Sequence, residues 1–154
     1  MNSKNSLFEK VFIGLIAGIV SQMIMGGLFM SPVAQSILYN PEFQSQLFLE
    51  ITPQRDLLPS VLGLIIFSIV YGIIYPRVFS VLPGEKWWQK GLWFGFFIWL
   101  LYWVPQEWFI YRTLLHEPFL LNLFELTLCL IGTFAQGIVI AFLMKKFKVE
   151  LQQY

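Results

Sequence analysis

The sequence is poor in cysteine, histidine and charge. It contains one cysteine, Cys129, and one histidine, His116. A single cysteine excludes a disulfide framework or a thiolate metal cluster within one chain, and a single histidine excludes haem held by two histidines. Charged residues make up 12% of the chain and apolar residues 57%, whereas soluble domains are roughly 25% charged. These residues supply too little polar surface for a soluble domain, so we expect the chain to fold in lipid.

Four apolar runs are long enough to cross a bilayer, at about residues 11–30, 59–79, 87–104 and 119–144. A helix of about 20 apolar residues spans a hydrocarbon core of roughly 30 Å. The first run is longer than the apolar part of a signal peptide, which has about 7 to 15 residues, so we expect an uncleaved helix. The chain is therefore predicted to be one all-α membrane domain over residues 1–154, a polytopic four-helix bundle.

Lysine and arginine are distributed unevenly between the connections. Eight lie before the first run, around the second connection or after the fourth run, namely Lys4, Lys10, Arg77, Lys86, Lys90, Lys145, Lys146 and Lys148. Only Arg55 and Arg112 lie in the first and third connections. Since cytoplasmic segments are enriched in positive charge, we expect an inner or plasma membrane protein of bacterial type with both termini in the cytoplasm.

The first outer connection is too long for a simple turn. Asn40, Pro41 and Glu42 have the residue types of a helix N-cap, first position and first turn. Apolar residues then recur at helical spacing from Phe43 to Ile51. This pattern predicts a short amphipathic helix lying on the outer interface or covering the bundle.

One face of the fourth predicted helix is polar. Asn122, Glu125, Cys129 and Gln136 fall in a single stripe at 100° per residue. A carboxylate within an apolar span costs a few kcal/mol and usually faces the bundle interior, and Glu125 is the only acid within the four runs. Since low dielectric disfavours the charged form, we expect a neutral carboxyl.

Polar residues of the other predicted helices lie at comparable depths. Gln22, Tyr71 and Tyr102 belong to the inward faces of the first, second and third runs, as judged from a rise of 1.5 Å per residue. If these faces converge with the stripe, they frame a candidate ligand pocket beneath the outer surface. The residues expected at its rim are Arg112, His116 and Glu117.

Three interpretations of Glu125 stay open. It is a structural acid that bonds Asn122 or Tyr102, a small-molecule or proton site, or a contact with a partner subunit. Gly14 and Gly18 also have two interpretations, because the GxxxG spacing permits close helix approach. Packing within the chain is favoured over a homodimer seam.

Motifs of known chemistry are absent from the sequence. It has no phosphate-binding glycine loop, nucleophile elbow or metalloprotease helix, so enzymatic activity is not supported. Met23, Met25 and Met30 with His116 would suit a soft metal, but methionines scattered in a helix usually pack. We therefore expect no metal site and no cofactor. The C-terminal lysines indicate a topology anchor, and we expect no nucleic acid partner.

These patterns predict a protein that binds or transports a small ligand, protonatable or apolar, through an interior pocket around Glu125. The alternative is a non-catalytic accessory or assembly subunit that docks onto a larger membrane complex through its aromatic third helix and its glycine-bearing first helix. The expected partners are the lipid bilayer and, for the alternative, a second copy or other membrane subunits. A transporter requires a polar path from Gln106 through Glu125 to Gln136.

Overall fold

The computed structural model describes residues 3–51 and 57–149. These residues form helices and turns, and no strand occurs among them. The α-helices are α1 (Ser3–Phe29), α2 (Pro32–Leu38), α3 (Gln46–Ile51), α4 (Leu57–Val78), α5 (Trp87–Ile98), α6 (Val104–Gln106) and α7 (Phe119–Lys146), and the π-helical segments are π1 (Trp99–Trp103) and π2 (Glu107–Leu114). The all-α prediction is confirmed for the described part of the chain.

Three helices are long and apolar enough to cross a membrane. They are Leu7–Phe29 in α1, Leu58–Val78 in α4 and Phe119–Lys146 in α7, with mean hydropathies of 2.0, 2.1 and 2.2. Their bounds lie close to those of the first, second and fourth predicted runs. By length and composition they support the prediction of a membrane protein.

The third predicted helix continues beyond its predicted end. We placed that end at Val104 because Pro105 follows it, and proline lacks the N–H that an α-helix requires. In the structure Pro105 lies inside α6, and the chain stays helical from α5 through π1 and π2 to Leu114. Near prolines in membrane helices, local π-helical turns find new donors for the carbonyl groups left without one. The predicted end was therefore wrong, and the third connection shortens to residues 115–118.

The helix predicted to begin at Pro41 does not form there. The Asn40 Oδ1 atom accepts a hydrogen bond from the Glu42 backbone N at 3.0 Å, an Asx turn rather than a helix cap. The connection instead contains two short helices, α2 and α3. Ser31 caps α2, because its Oγ accepts from the Ala34 backbone N at 3.2 Å. The prediction misplaced the helix because Asn40 supports a turn as readily as a cap.

Helix α7 lies at the centre of the fold, where it packs against both α1 and α5, and α1 in turn packs against α4. One face of α1 is a stripe of buried residues spaced by four: Ile13, Ala17, Ser21 and Met25. The Ser21 Oγ atom donates to the Gly132 carbonyl O at 2.9 Å. The centre of the bundle is thus built on α7.

Glycines allow α5 and α7 to approach closely. A Cβ placed on Gly91 would lie 2.8 Å from the Gly137 carbonyl O. A Cβ on Gly137 would lie 2.7 Å from the Gly95 backbone N and would collide with the Gly91 carbonyl O. The atoms in the way are backbone atoms, which cannot move aside as a flexible side chain does. The α5–α7 contact therefore requires glycine at position 137.

The predicted GxxxG face of α1 makes the same kind of contact with α4. A Cβ on Gly18 would lie 2.7 Å from the Ser68 Cβ, and a Cβ on Gly72 would lie 2.8 Å from the Gly14 Cα. The prediction that this face packs within the chain is confirmed. Gly26, near the end of α1, has no neighbour within 4 Å of such a Cβ.

We predict that Gly137→Ala destabilises the protein by about 1–3 kcal/mol, the usual cost of overpacking. Gly26→Ala is the matched control, because alanine has about 1 kcal/mol better helix propensity than glycine and the added methyl meets open space. Thermal unfolding in detergent, followed by circular dichroism, measures both. Equal unfolding temperatures for Gly137→Ala and the wild type would show that α5 and α7 do not touch at Gly137.

Candidate functional site

Three carboxylates meet where α7 begins. Glu107 is the first residue of π2, Glu117 lies in the short connection before α7, and Glu125 lies two turns into α7. One oxygen from each carboxylate lies within 4.8 Å of the others. Glu107 and Glu117 are only 3% and 4% exposed, and Glu125 is half-buried. We call these three residues with Asn122 the carboxylate site.

Asn122 connects two of the acids. Its side-chain Nδ2 donates to a Glu117 carboxylate oxygen at 2.6 Å and lies 3.4 Å from a Glu107 carboxylate oxygen. The side chain is 96% buried, since its exposed fraction is 4%, and its Oδ1 atom has no hydrogen-bond partner. A buried carbonyl oxygen without a partner costs roughly 1–3 kcal/mol, so this orientation of the amide leaves one strong acceptor unused.

The connection at residues 115–118 is held by two hydrogen bonds to the main chain of Glu117. The Glu117 backbone N donates to the Tyr111 carbonyl O at 3.0 Å. The Arg112 Nη1 donates to the Glu117 carbonyl O at 2.8 Å. His116 has a positive φ of 54°, a conformation that non-glycine residues seldom adopt. This tight turn directs the Glu117 side chain inward while its neighbour His116 is exposed.

The surroundings of Glu117 favour its neutral form. Burial, and to a smaller extent the nearby Glu125 carboxylate, raise the pKa of Glu117 from 4.5 to about 7. Desolvation and a like charge act in the same direction, because both make the ionised carboxylate less favourable.

The site offers oxygen atoms as ligands. Carboxylate and amide oxygens suit hard cations such as Mg²⁺, Ca²⁺ and Mn²⁺, whereas soft metals prefer sulfur. In the described part of the chain, Glu107, Glu117 and Glu125 are the residues grouped closely enough to hold a metal ion. The arrangement can bind a cation, share protons between its acids, or do both.

Other residues predicted for the pocket lie around a separate, smaller cavity. Gln22, Tyr71, Tyr102 and Gln136 line it together with Ser68, and its volume is about 20 Å³, enough for roughly one water molecule. The structure thus divides the predicted pocket. Asn122 and Glu125 belong to the carboxylate site, whereas these four line a small polar cavity elsewhere in the bundle.

The remaining predicted residues have different surroundings. Cys129 is 1% exposed on α7 and forms no disulfide. Arg112 is exposed, and its guanidinium donates a hydrogen bond to the Glu117 carbonyl O. The exposure of His116 agrees with its predicted place at a rim, although its side chain belongs to neither group of site residues.

Sequence reasoning missed the central roles of Glu107 and Glu117. Glu107 fell in the third predicted connection because the third predicted run ended at residue 104, and Glu117 was treated as a rim residue. A usable signal was present, because a short connection places the end of one helix beside the start of the next. Glu107 precedes this connection in the sequence, Glu117 lies within it and Glu125 follows it.

These features define an all-helical protein with three helices able to cross a membrane and a group of buried acids at the start of α7. The chain belongs to a family of unknown function, DUF6789, which matches residues 8–153. No curated protein and no solved structure matches it.

Proposed function

We propose that this chain is a four-helix membrane protein that binds a small cation at Glu107, Glu117, Glu125 and Asn122. The observation that carries the proposal is the grouping of three carboxylate oxygens within 4.8 Å of one another beside a buried amide oxygen without a partner. The ligand class is a divalent cation of the Mg²⁺, Ca²⁺ and Mn²⁺ type, which takes all-oxygen ligands.

Like charges held this close favour uptake of a positive charge. Ionised carboxylates packed together repel one another, and the repulsion grows as water is excluded. A bound cation removes this repulsion and satisfies several oxygens at once. Because carboxylates bind a metal ion in their deprotonated form, cation uptake releases any protons that the acids share. A proton site was one of the three open interpretations of Glu125.

The Asn122 amide supplies a second argument. Rotating the amide by half a turn about the Cβ–Cγ bond exchanges its oxygen and nitrogen, whose assignment rests on hydrogen bonding alone. After rotation the Oδ1 atom would take the place from which Nδ2 now contacts Glu117 and Glu107. That orientation is unfavourable beside two carboxylates and favourable beside a cation. Asn122 is thus suited to become a fourth ligand.

The fourth membrane-spanning helix of the proposal is the helical run from Trp87 to Leu114, which α5, π1, α6 and π2 form without interruption. Its last segment carries Glu107, and α7 carries Glu125. The lysine and arginine distribution supports an orientation with both termini in the cytoplasm and the carboxylate site near the outer surface. A cation would then reach the site from outside a bacterial inner membrane.

The proposal extends to transport of the cation, which requires a polar path from Glu125 on toward Gln136. Glu125 and Gln136 lie on the same face of α7, and 11 residues of helix separate them by about 16 Å. The small cavity lined by Gln136 therefore lies further along the helix, and the buried Thr133 lies between it and the carboxylate site. Binding at the outer end is the step that the geometry supports best.

The accessory-subunit alternative rested on two docking surfaces, and one of them is occupied within the chain. It used the glycine-bearing face of α1 for docking, but Gly14 and Gly18 are buried against α4. Its second surface, the aromatic side of α5, includes Trp93 and Phe97, which are 42% and 38% exposed. That surface stays a prediction.

Cation binding is tested by isothermal titration of detergent-solubilised protein with Mn²⁺ and with Ca²⁺. We expect saturable binding at one site per chain in the wild type. Glu107→Gln should weaken it by about tenfold or more, because it removes a charged ligand and even outer-shell changes cost 10–100-fold in metal affinity.

Glu50→Gln is the matched control, because Glu50 is an exposed acid on α3 and its loss removes the same charge. It should leave the affinity within about twofold, since surface interactions in water are weak. Equal affinities for the wild type and Glu107→Gln, with both proteins folded, would contradict the proposal.

The proposed orientation in the membrane is tested by labelling single cysteines in a Cys129→Ala variant, which removes the native cysteine. Cysteines placed at Gln46 and Thr113, which are exposed, should react with a membrane-impermeant maleimide added to whole spheroplasts. A cysteine at Glu85, in the connection before α5, should react only after the membrane is broken. Labelling at Glu85 in intact spheroplasts would reverse the proposed topology.

A further inference from the structure

A cavity of about 620 Å³ opens at the opposite end of α7 from the carboxylate site. It lies between the connection from α4 to α5 and the last turn of α7. Three lysines line it, Lys86, Lys145 and Lys148, together with one acid, Glu85. Each lysine is exposed. The opening of the cavity is therefore basic.

The inner wall of the cavity is apolar. Met144 is fully buried and Ala141 is 2% exposed, and both line it together with Phe79. Trp87 also lines the cavity, and the Lys145 Nζ atom lies 5.8 Å from the centroid of its ring, within reach of a cation–π interaction. A basic opening over an apolar wall matches a molecule with an anionic head and a hydrocarbon portion.

The chain turns sharply after α7 to place Lys148 at this cavity. The Lys148 backbone N donates to the Lys145 carbonyl O at 3.2 Å, and the Val149 backbone N donates to the Met144 carbonyl O at 3.1 Å. This is the Schellman arrangement, in which glycine usually takes the left-handed position. Here that position is Lys148, with a φ of 52°. The buried Val149 side chain anchors the turn.

Two nearby lysines, Lys90 and Lys146, do not line the cavity. The Lys90 Nζ atom donates to the Phe79 carbonyl O at 2.7 Å and lies 4.3 Å from the Phe79 ring centroid, so this lysine holds the end of α4. Lys146 adjoins Lys145 in the chain and is also exposed, but it does not line the cavity.

We propose that this cavity binds the phosphate headgroup of an anionic phospholipid. Lysines act as point charges for phosphate, and basic residues beside membrane helices attract anionic headgroups. The tryptophans at its edge favour a lipid over a soluble phosphate, because indole rings concentrate at the headgroup level. The proposal is independent of the carboxylate site.

The test is native mass spectrometry of the full chain released from a neutral detergent, with palmitoyl-oleoyl phosphatidylglycerol or the corresponding phosphatidylcholine added. We expect the wild type to retain phosphatidylglycerol in preference to phosphatidylcholine. Lys148→Gln should weaken phosphatidylglycerol binding about fivefold, the factor that one basic residue contributes near an anionic surface. Lys146→Gln removes the same charge two residues away in the chain and should leave binding within twofold.

Circular dichroism confirms that each variant is folded before binding is compared. Equal losses for Lys148→Gln and Lys146→Gln would overturn the proposal in favour of a diffuse basic surface. A second arm adds inorganic phosphate at millimolar concentration as a competitor. If it displaces phosphatidylglycerol, the cavity takes soluble phosphate and the lipid assignment is wrong; if phosphatidylglycerol stays bound, the lipid assignment is supported.

Discussion

The bundle depends on the close approach of α7 to its neighbours. Gly91 and Gly137 bring the backbones of α5 and α7 together, and Ser21 bonds the Gly132 carbonyl to join α1 to α7. In a membrane, apolar side chains gain little from leaving lipid, so helix association relies on close packing and on hydrogen bonds between helices. These contacts fix the position of α7, and every residue of the carboxylate site lies on α7 or on the segment that leads into it.

The carboxylate site follows from that packing and from the shape of the third helical run. The π-helical turns around Pro105 carry the helix on to Leu114, and the connection that follows is only a few residues long. Glu107 and Glu125 therefore come together from adjacent helices, and a Glu117 carboxylate oxygen lies within 4.8 Å of an oxygen of each. Burying acids in this way is unfavourable unless protons, hydrogen bonds or a cation compensate. The Asn122 amide supplies hydrogen bonds, but its own oxygen is left without a partner.

Sequence reasoning predicted the elements that depend on composition and periodicity. Long apolar runs identified α1, α4 and α7, and the polar stripe of α7 identified Glu125 and Asn122 as inward-facing. It was wrong where one residue type permits two local structures. Pro105 was taken as a helix end although π-helical turns accommodate it, and Asn40 was taken as a helix cap although it stabilises a turn. The roles of Glu107 and Glu117 depend on how two helix ends meet, which a pattern within one helix does not contain.

The central claim is that the carboxylate site holds a cation, and the most direct measurement is anomalous diffraction at the manganese edge from crystals grown with Mn²⁺. The account predicts an anomalous peak about 2.0–2.6 Å from oxygens of Glu107, Glu117 and Glu125, the range for hard-cation ligands, with the Asn122 oxygen turned toward it. A well-ordered site without a peak, in which the carboxyl groups bond only to one another and to the Asn122 nitrogen, would contradict the claim.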